Sequence, residues 1–358
     1  MRLSKTDVLR SIKRYNQEVR LKELSAQGIH KLVLTTEPDR ERDEVGKVVI
    51  AFGSYDPLTI GHVNLFLSGL DAVEDKEATR GSESLDELVI ATSTSHIDKQ
   101  INLMRNSTIS DRVHAQEGFA DALDNVSLAF TNTPFFIDLI PLFEQKYGKD
   151  VDLYFLVGAD VMEKIVDPKS YERHDKSIDE VLPSLFRHNF IVCERQVQYK
   201  NEEGEVTSER YLNRDLILAE HPEISKYTKK MLPVDLRDNE YPDLEISILE
   251  VSSSLVRKLR GNGNETQSDE NSAPWKKLEA VGISDFVDKR SLYMRGSEKY
   301  KAIVALTRAY ADHFRPKGVQ PLQYINALMQ DLRHADEDSE FRDHVIRSYD
   351  AGIPLVKK

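Results

Sequence analysis

"KVVIAFGSYDPLTIGHVNLFL", residues 47–67, decides the fold. Its opening "KVVIAF" is apolar on both faces, the pattern of a strand inside a parallel sheet rather than at a solvated one. Its closing part, which runs on as "GHVNLFLSGLDAV", reads as a helix. Between them, Gly53 to His62 form a strand–loop–helix joint. In an open α/β sheet, ligands bind at the carboxyl ends of the strands. A helix amino terminus offers unpaired N–H groups and the positive end of a dipole, both suited to phosphate. Gly53 lets the backbone approach an anion closely. Pro57 stiffens the loop, Gly61 removes side-chain bulk at the helix start, and His62 falls on the first helical turn. The stretch is neither the P-loop pattern nor the G-x-G-x-x-G dinucleotide fingerprint.

Outward from this joint, buried strands alternate with helices. "DELVIATST", "NVSLAF", "VDLYFLVG" and "NFIVCE" read as strands. "DRVHAQEGFADAL", "PFFIDLIPLFEQKYG" and "SIDEVLPSLFR" read as helices. The alternation predicts an α/β fold, a Rossmann-like doubly wound parallel sheet with helical N- and C-terminal extensions. The expected division is 1–46 as the N-terminal extension, 47–295 as the main domain and 296–358 as the C-terminal extension. Within the first, "HKLVLTT" is strand-like. "QYKNEEGEVTSERYL" suggests a hairpin turning at Glu203-Gly204, and "RDLILAEHPEISKYTKKM" looks helical around Pro222. "EISILEVSSSLVRKLR" reads as a strand, a turn and a helix start, and the Gly/Asn/Ser-rich stretch after it as a loop.

Composition bounds the function. The 358 residues carry 40% hydrophobic and 31% charged side chains, a globular balance. A net charge of −12 argues against a general nucleic-acid binder, while leaving room for an anionic substrate in a local basic pocket. The single Cys193 forbids an intrachain disulfide and, inside "FIVCE", reads as a buried thiol, so a reducing, cytoplasmic setting is expected. No signal-peptide pattern and no membrane-length apolar run is present.

"TIGH", residues 59–62, and "VSSSLVR", residues 251–257, stand about 190 residues apart in that order. Together they resemble the (H/T)xGH nucleotidyltransferase superfamily, whose members carry that turn and a late ISSSxxR segment. A KMSKS-type loop, which class I aminoacyl-tRNA synthetases add to a similar turn, is absent. Further stretches are similar to the nicotinamide/nicotinate mononucleotide adenylyltransferases: "YFLVGADVMEKI" with Gly158 and Asp160, "FIVCER" with Arg195, and the Lys99…Arg112 segment. Two features depart from that family. Thr59 stands where it usually has His, and its usual Trp after G-x-D is missing, which leaves Tyr171 as the nearest aromatic; the one tryptophan, Trp275, is far away.

The resemblance implies an adenylyltransferase that joins AMP from ATP to NMN or nicotinate mononucleotide and releases pyrophosphate, with Mg²⁺ accompanying ATP. Phosphopantetheine adenylyltransferase is the alternative, because "GSYDPLTIGH" and "SSSLVR" also fit its wording. A nucleotide-binding pseudoenzyme working through its terminal helices is the non-enzymatic one. The implied catalytic residues are His62, Thr59 and Arg257. The implied ATP-binding set adds Gly53, Ser54, Tyr55, Gly61, Gly158, Asp160, Ser252, Ser253 and Ser254, and the acceptor set is Lys99, Arg112, Tyr171 and Arg195. Expected partners are ATP and a small phosphorylated acceptor, with neither nucleic acid nor membrane. The terminal helices either cover the sheet or form a homo-oligomer interface, and the sequence does not choose.

Overall fold

The computed structural model describes residues 4–36, 45–77, 85–94, 112, 116–117, 119–120, 125–174, 177–200, 206–236, 251, 253, 255–256 and 298–356. Among the described residues, seven strands form one sheet: β1 (Leu32–Thr36), β2 (Val45–Gly53), β3 (Leu85–Ser93), β4 (Val126–Thr131), β5 (Asp152–Gly158), β6 (Asn189–Cys193) and β9 (Met231–Val234). Their order across the sheet is β1-β4-β3-β2-β5-β6-β9. All neighbours are parallel except β1, which lies antiparallel to β4 at one edge. A separate antiparallel hairpin, β7 (Arg195–Lys200) with β8 (Val206–Leu212), follows β6. The expected hairpin is therefore present, and its turn at Glu203-Gly204 lies outside the described residues.

The side-chain alternation of β2 shows why the sheet is covered on both sides. Val49 and Ala51 point into a cluster with Phe66 and Val73 of α2 (Ile60–Glu77) and with Phe119 and Ala120. Val48 and Ile50 point the other way, into a cluster with α3 (Phe136–Tyr147), α4 (Ala159–Val166) and α5 (Ile178–Leu185). All four strand side chains are fully buried. Helices on both faces of a mostly parallel sheet make the fold doubly wound. The chain leaves β2 toward β3 and β4 on one side and returns to place β5, β6 and β9 on the other. The order thus reverses between β2 and β5, the point outside whose carboxyl ends such sheets bind ligands.

The stretch expected to be helical around Pro222 divides into three. α6 (Arg214–Glu220) starts at Asn213, whose side chain accepts the Leu216 N–H at 2.8 Å. A 3-10 helix covers Pro222–Lys230, and then Met231–Val234 is a strand rather than helix. "MLPV" is short and contains a proline, which an edge strand tolerates. It extends the sheet by pairing with β6.

At the chain ends, α1 (Lys5–Ala26) packs with α7 (Glu298–Phe314) and α8 (Pro321–Glu337), and α9 (Ser339–Asp350) packs on those two. One apolar cluster joins Val8 and Ile12 of α1 to Leu306, Ile325, Leu328 and Val345. Leu21 and Val304 carry this unit into the main core on the α2 side. Asn132, fully buried just past β4, ties α1 down: its Nδ2 donates to the carbonyls of Leu21 (3.0 Å) and Ile29 (2.8 Å). Within the stretch expected as an N-terminal helical extension, β1 thus belongs to the sheet.

Candidate active site

β2 ends at Gly53, and α2 begins at Ile60. The six residues between make a compact loop whose second residue, Tyr55, holds a left-handed backbone with φ 43°. For a non-glycine residue this conformation costs about 1–2 kcal/mol and persists where the surroundings over-determine it. The following Asp56–Pro57 peptide is cis. The Tyr55 ring lies back over Gly53, so close that a Cβ there would stand 2.9 Å from Cζ. It meets His62 edge-on at 5.2 Å and Phe66 at 5.7 Å between centroids. Burial pushes the Tyr55 phenol well above its ordinary range, so the ring is neutral.

Thr59 starts α2: its carbonyl accepts the N–H groups of His62 (3.0 Å) and Val63 (3.1 Å). Its own N–H donates to Nδ1 of His62 at 3.1 Å, and its hydroxyl lies 2.8 Å from the same nitrogen. A nitrogen that accepts a backbone N–H cannot also carry the proton. The neutral imidazole therefore holds its proton on Nε2. Thr59 is completely buried, whereas His62 is half-buried. The pair works as one unit, with the threonine fixing both the tilt and the tautomer of the histidine.

The late segment meets this joint directly. Val251 is buried, and its carbonyl oxygen would lie 2.7 Å from a Cβ placed on Gly61. Only glycine leaves room for that contact, because the obstacle is backbone. Ser253, helical like Leu255 and Val256, donates its hydroxyl to the Pro57 carbonyl at 2.7 Å. Segments about 190 residues apart in sequence thus form one surface at the carboxyl end of β2. Ser252, Ser254, Arg257 and Lys99 lie outside the described residues, as does Trp275.

On the other side of the switch point, β5 passes through Gly158 straight into α4. Asp160, half-buried in the first turn, folds its carboxylate over Gly158, so that a Cβ there would meet Oδ1 at 2.5 Å. A carboxylate on a first turn also suits the positive end of the helix dipole.

The remaining expected residues are placed differently. Arg112 is buried against the joint: Nη1 donates to the Ser54 hydroxyl (2.8 Å) and carbonyl (3.2 Å), and Nη2 pairs with Asp56 at 3.0 Å. Tyr171 is buried in the cluster on the face opposite α2, where its hydroxyl donates to the Ile165 carbonyl at 2.7 Å. Burial raises its phenol above the ordinary range. Arg195 is half-buried at the start of β7, opposite Leu212. Neither Tyr171 nor Arg195 is drawn into the contact between the two segments. Asp56, the partner of Arg112, is a site residue that the sequence did not single out; an acidic residue before the loop proline was its only signal. Cys193 is fully buried, and burial together with the neighbouring Glu194 charge raises its thiol. Among the described residues, no group of three or more His, Cys, Asp or Glu side chains is placed to hold a metal ion. No helix among them is long and apolar enough to cross a membrane.

No protein-family model and no curated protein matches this chain. Among solved structures, two of the Plasmodium falciparum nicotinic acid mononucleotide adenylyltransferase are similar to it. One, complexed with NaAD, has 16% identity and a TM-score of 0.42; the other, complexed with APC, has 17% identity and a TM-score of 0.40. Each likeness covers 69% of this chain and 97% of that one.

Proposed function

We propose that the chain is an adenylyltransferase that joins AMP from ATP to a pyridine mononucleotide, NMN or nicotinate mononucleotide, and releases pyrophosphate. One observation carries the reading. Val251 and Ser253 of the late segment meet the loop and "TIGH" turn at the carboxyl end of β2, beside the switch point with β5. This is where an open α/β sheet takes a nucleotide.

In the proposed reaction, a phosphate oxygen of the acceptor attacks the α-phosphorus of the ATP–Mg²⁺ complex. The bond from that phosphorus to the bridging oxygen breaks, and pyrophosphate departs with the electron pair. An anionic phosphate needs no general base, so the chain's task is placement and charge neutralisation. His62, with its proton on Nε2, donates to the triphosphate as charge shifts onto the leaving group. Thr59 orients that donor. The N–H groups at the start of α2 donate to phosphate oxygens, and Ser252, Ser253 and Ser254 hold the β- and γ-phosphates by their hydroxyls and backbone N–H groups. Arg257 neutralises the β- and γ-phosphates, Asp160 binds ribose hydroxyls, and Lys99 binds the acceptor's phosphate.

The test is pyrophosphate release from purified protein and ATP with NMN, nicotinate mononucleotide or phosphopantetheine, each alone. Product with either pyridine mononucleotide supports the reading. Product with phosphopantetheine alone keeps the chemistry and overturns the acceptor. Silence with all three, and with CTP-dependent pairs, overturns nucleotidyl transfer.

A further inference from the structure

The family resemblance places Arg112 on the acceptor's phosphate. The geometry points elsewhere: we propose that Arg112 is a positioning residue that holds the Gly53–His62 joint in shape and so sets the orientation of His62. The Arg112 and Asp56 side chains are each 1% exposed, and their ion pair spans 3.0 Å. Arg112 also grips Ser54 at both its hydroxyl and its carbonyl. Ser54 and Asp56 flank Tyr55, the residue with the left-handed backbone. The Tyr55 ring stands edge-on against His62, whose Nδ1 is fixed from the other side by Thr59. One guanidinium, hydrogen-bonded to Ser54 and ion-paired with Asp56, thus clamps both shoulders of the strained residue. A phosphate reaching this guanidinium would have to displace a buried carboxylate, which is strongly disfavoured.

The inference rests on the proposed function for its kinetic arm only. The first measurement needs no turnover: the imidazole nitrogen NMR shifts of His62 in the full-length protein. In wild type they report an unprotonated Nδ1 and a protonated Nε2. In Arg112→Met the two nitrogens are expected to move toward a tautomeric average, and an unchanged spectrum overturns the proposal. The second is kinetic. Arg112→Met is expected to lower kcat about 10–100-fold, as a sub-ångström misplacement does, with the KM for the acceptor within about twofold of wild type. A raised acceptor KM with kcat preserved overturns it. Asp56→Asn should give the same kcat loss, and the double variant no more than either alone, whereas additive losses overturn it. Should Arg112→Met fail to fold, Ser54→Ala and Arg112→Lys, which leave no bare buried carboxylate, are read by the same two measurements. If wild type shows no turnover with any acceptor, the enzymatic reading falls while the His62 spectrum still decides the role of Arg112.

Discussion

Two strand-to-helix joints stand side by side at the switch point, and they are built differently. β5 runs through Gly158 into α4 with no intervening loop. β2 spends six residues before α2 begins, and those six include a left-handed tyrosine, the buried Asp56 that pairs with Arg112, and Thr59, which is hydrogen-bonded to His62. Both joints need glycine for space, yet the obstacles differ in kind. Behind Gly158 is the end of the Asp160 side chain, which can rotate; behind Gly61 is the Val251 carbonyl, which cannot. Strain and buried polarity therefore concentrate at the longer joint. Such features persist where the surroundings enforce them, and they cluster at functional sites.

The largest effect expected at the longer joint comes from His62→Ala. Loss of one positioned donor lowers pyrophosphate release about 10²–10³-fold, with circular dichroism and thermal unfolding close to wild type. Unaltered turnover would break the assignment of the joint as the reacting end. Next is Gly61→Ala, which pushes a methyl group into the Val251 carbonyl. It should cost about 1–3 kcal/mol, read as a lower midpoint in urea, because packed backbone must shift. Gly158→Ala should cost less, about 0.5–1.5 kcal/mol, because the Asp160 rotamer can absorb the displacement. Equal penalties at Gly61 and Gly158 would erase the contrast between the joints.

The smallest effect at neutral pH is that of Tyr55→Phe, since burial keeps the phenol protonated there. The difference emerges in alkali. The folded phenol titrates above its unfolded value of about 10, so its contribution is complete below that pH and is lost as pH rises beyond it. Above pH 10 each such group steepens the decline by about 1.4 kcal/mol per pH unit, and the Phe variant should lack one group's share. Urea titrations of both proteins at a series of alkaline pH values measure it; parallel declines would show that Tyr55 is not held neutral by burial.

The sheet was legible in the sequence because its central strands are apolar on both faces and are punctuated by Gly, Pro and Asn. Such runs have no alternative to burial between two helical layers. β9 was not, because "MLPV" is four residues long, contains a proline and sits behind a basic stretch that reads as helix. At the site, the joint itself and its meeting with the late segment were readable from "TIGH" and "VSSSLVR". The pairing of Thr59 with His62 was readable in principle, since three residues apart on a helix start share a face. The clamp of Arg112 on Asp56 had no such signal. The partners are 56 residues apart, and a lone Arg in a helix pattern looks the same whether it faces water or a buried carboxylate. The left-handed Tyr55 was equally hidden, because tyrosine is not a residue that advertises such a backbone.

The docking of α1 on the cluster of α7, α8 and α9 has a consequence for how the molecule is made. The partners of Val8 and Ile12 include Leu306, Ile325 and Val345, about 300 residues later in the chain. On the ribosome, α1 emerges before these later helices and must wait for them. The sheet between them waits less long, since β2 pairs with β5 about 100 residues later. Completion of the helical cluster thus waits for the helices at 298–350, and without them the apolar stripe of α1 is left bare.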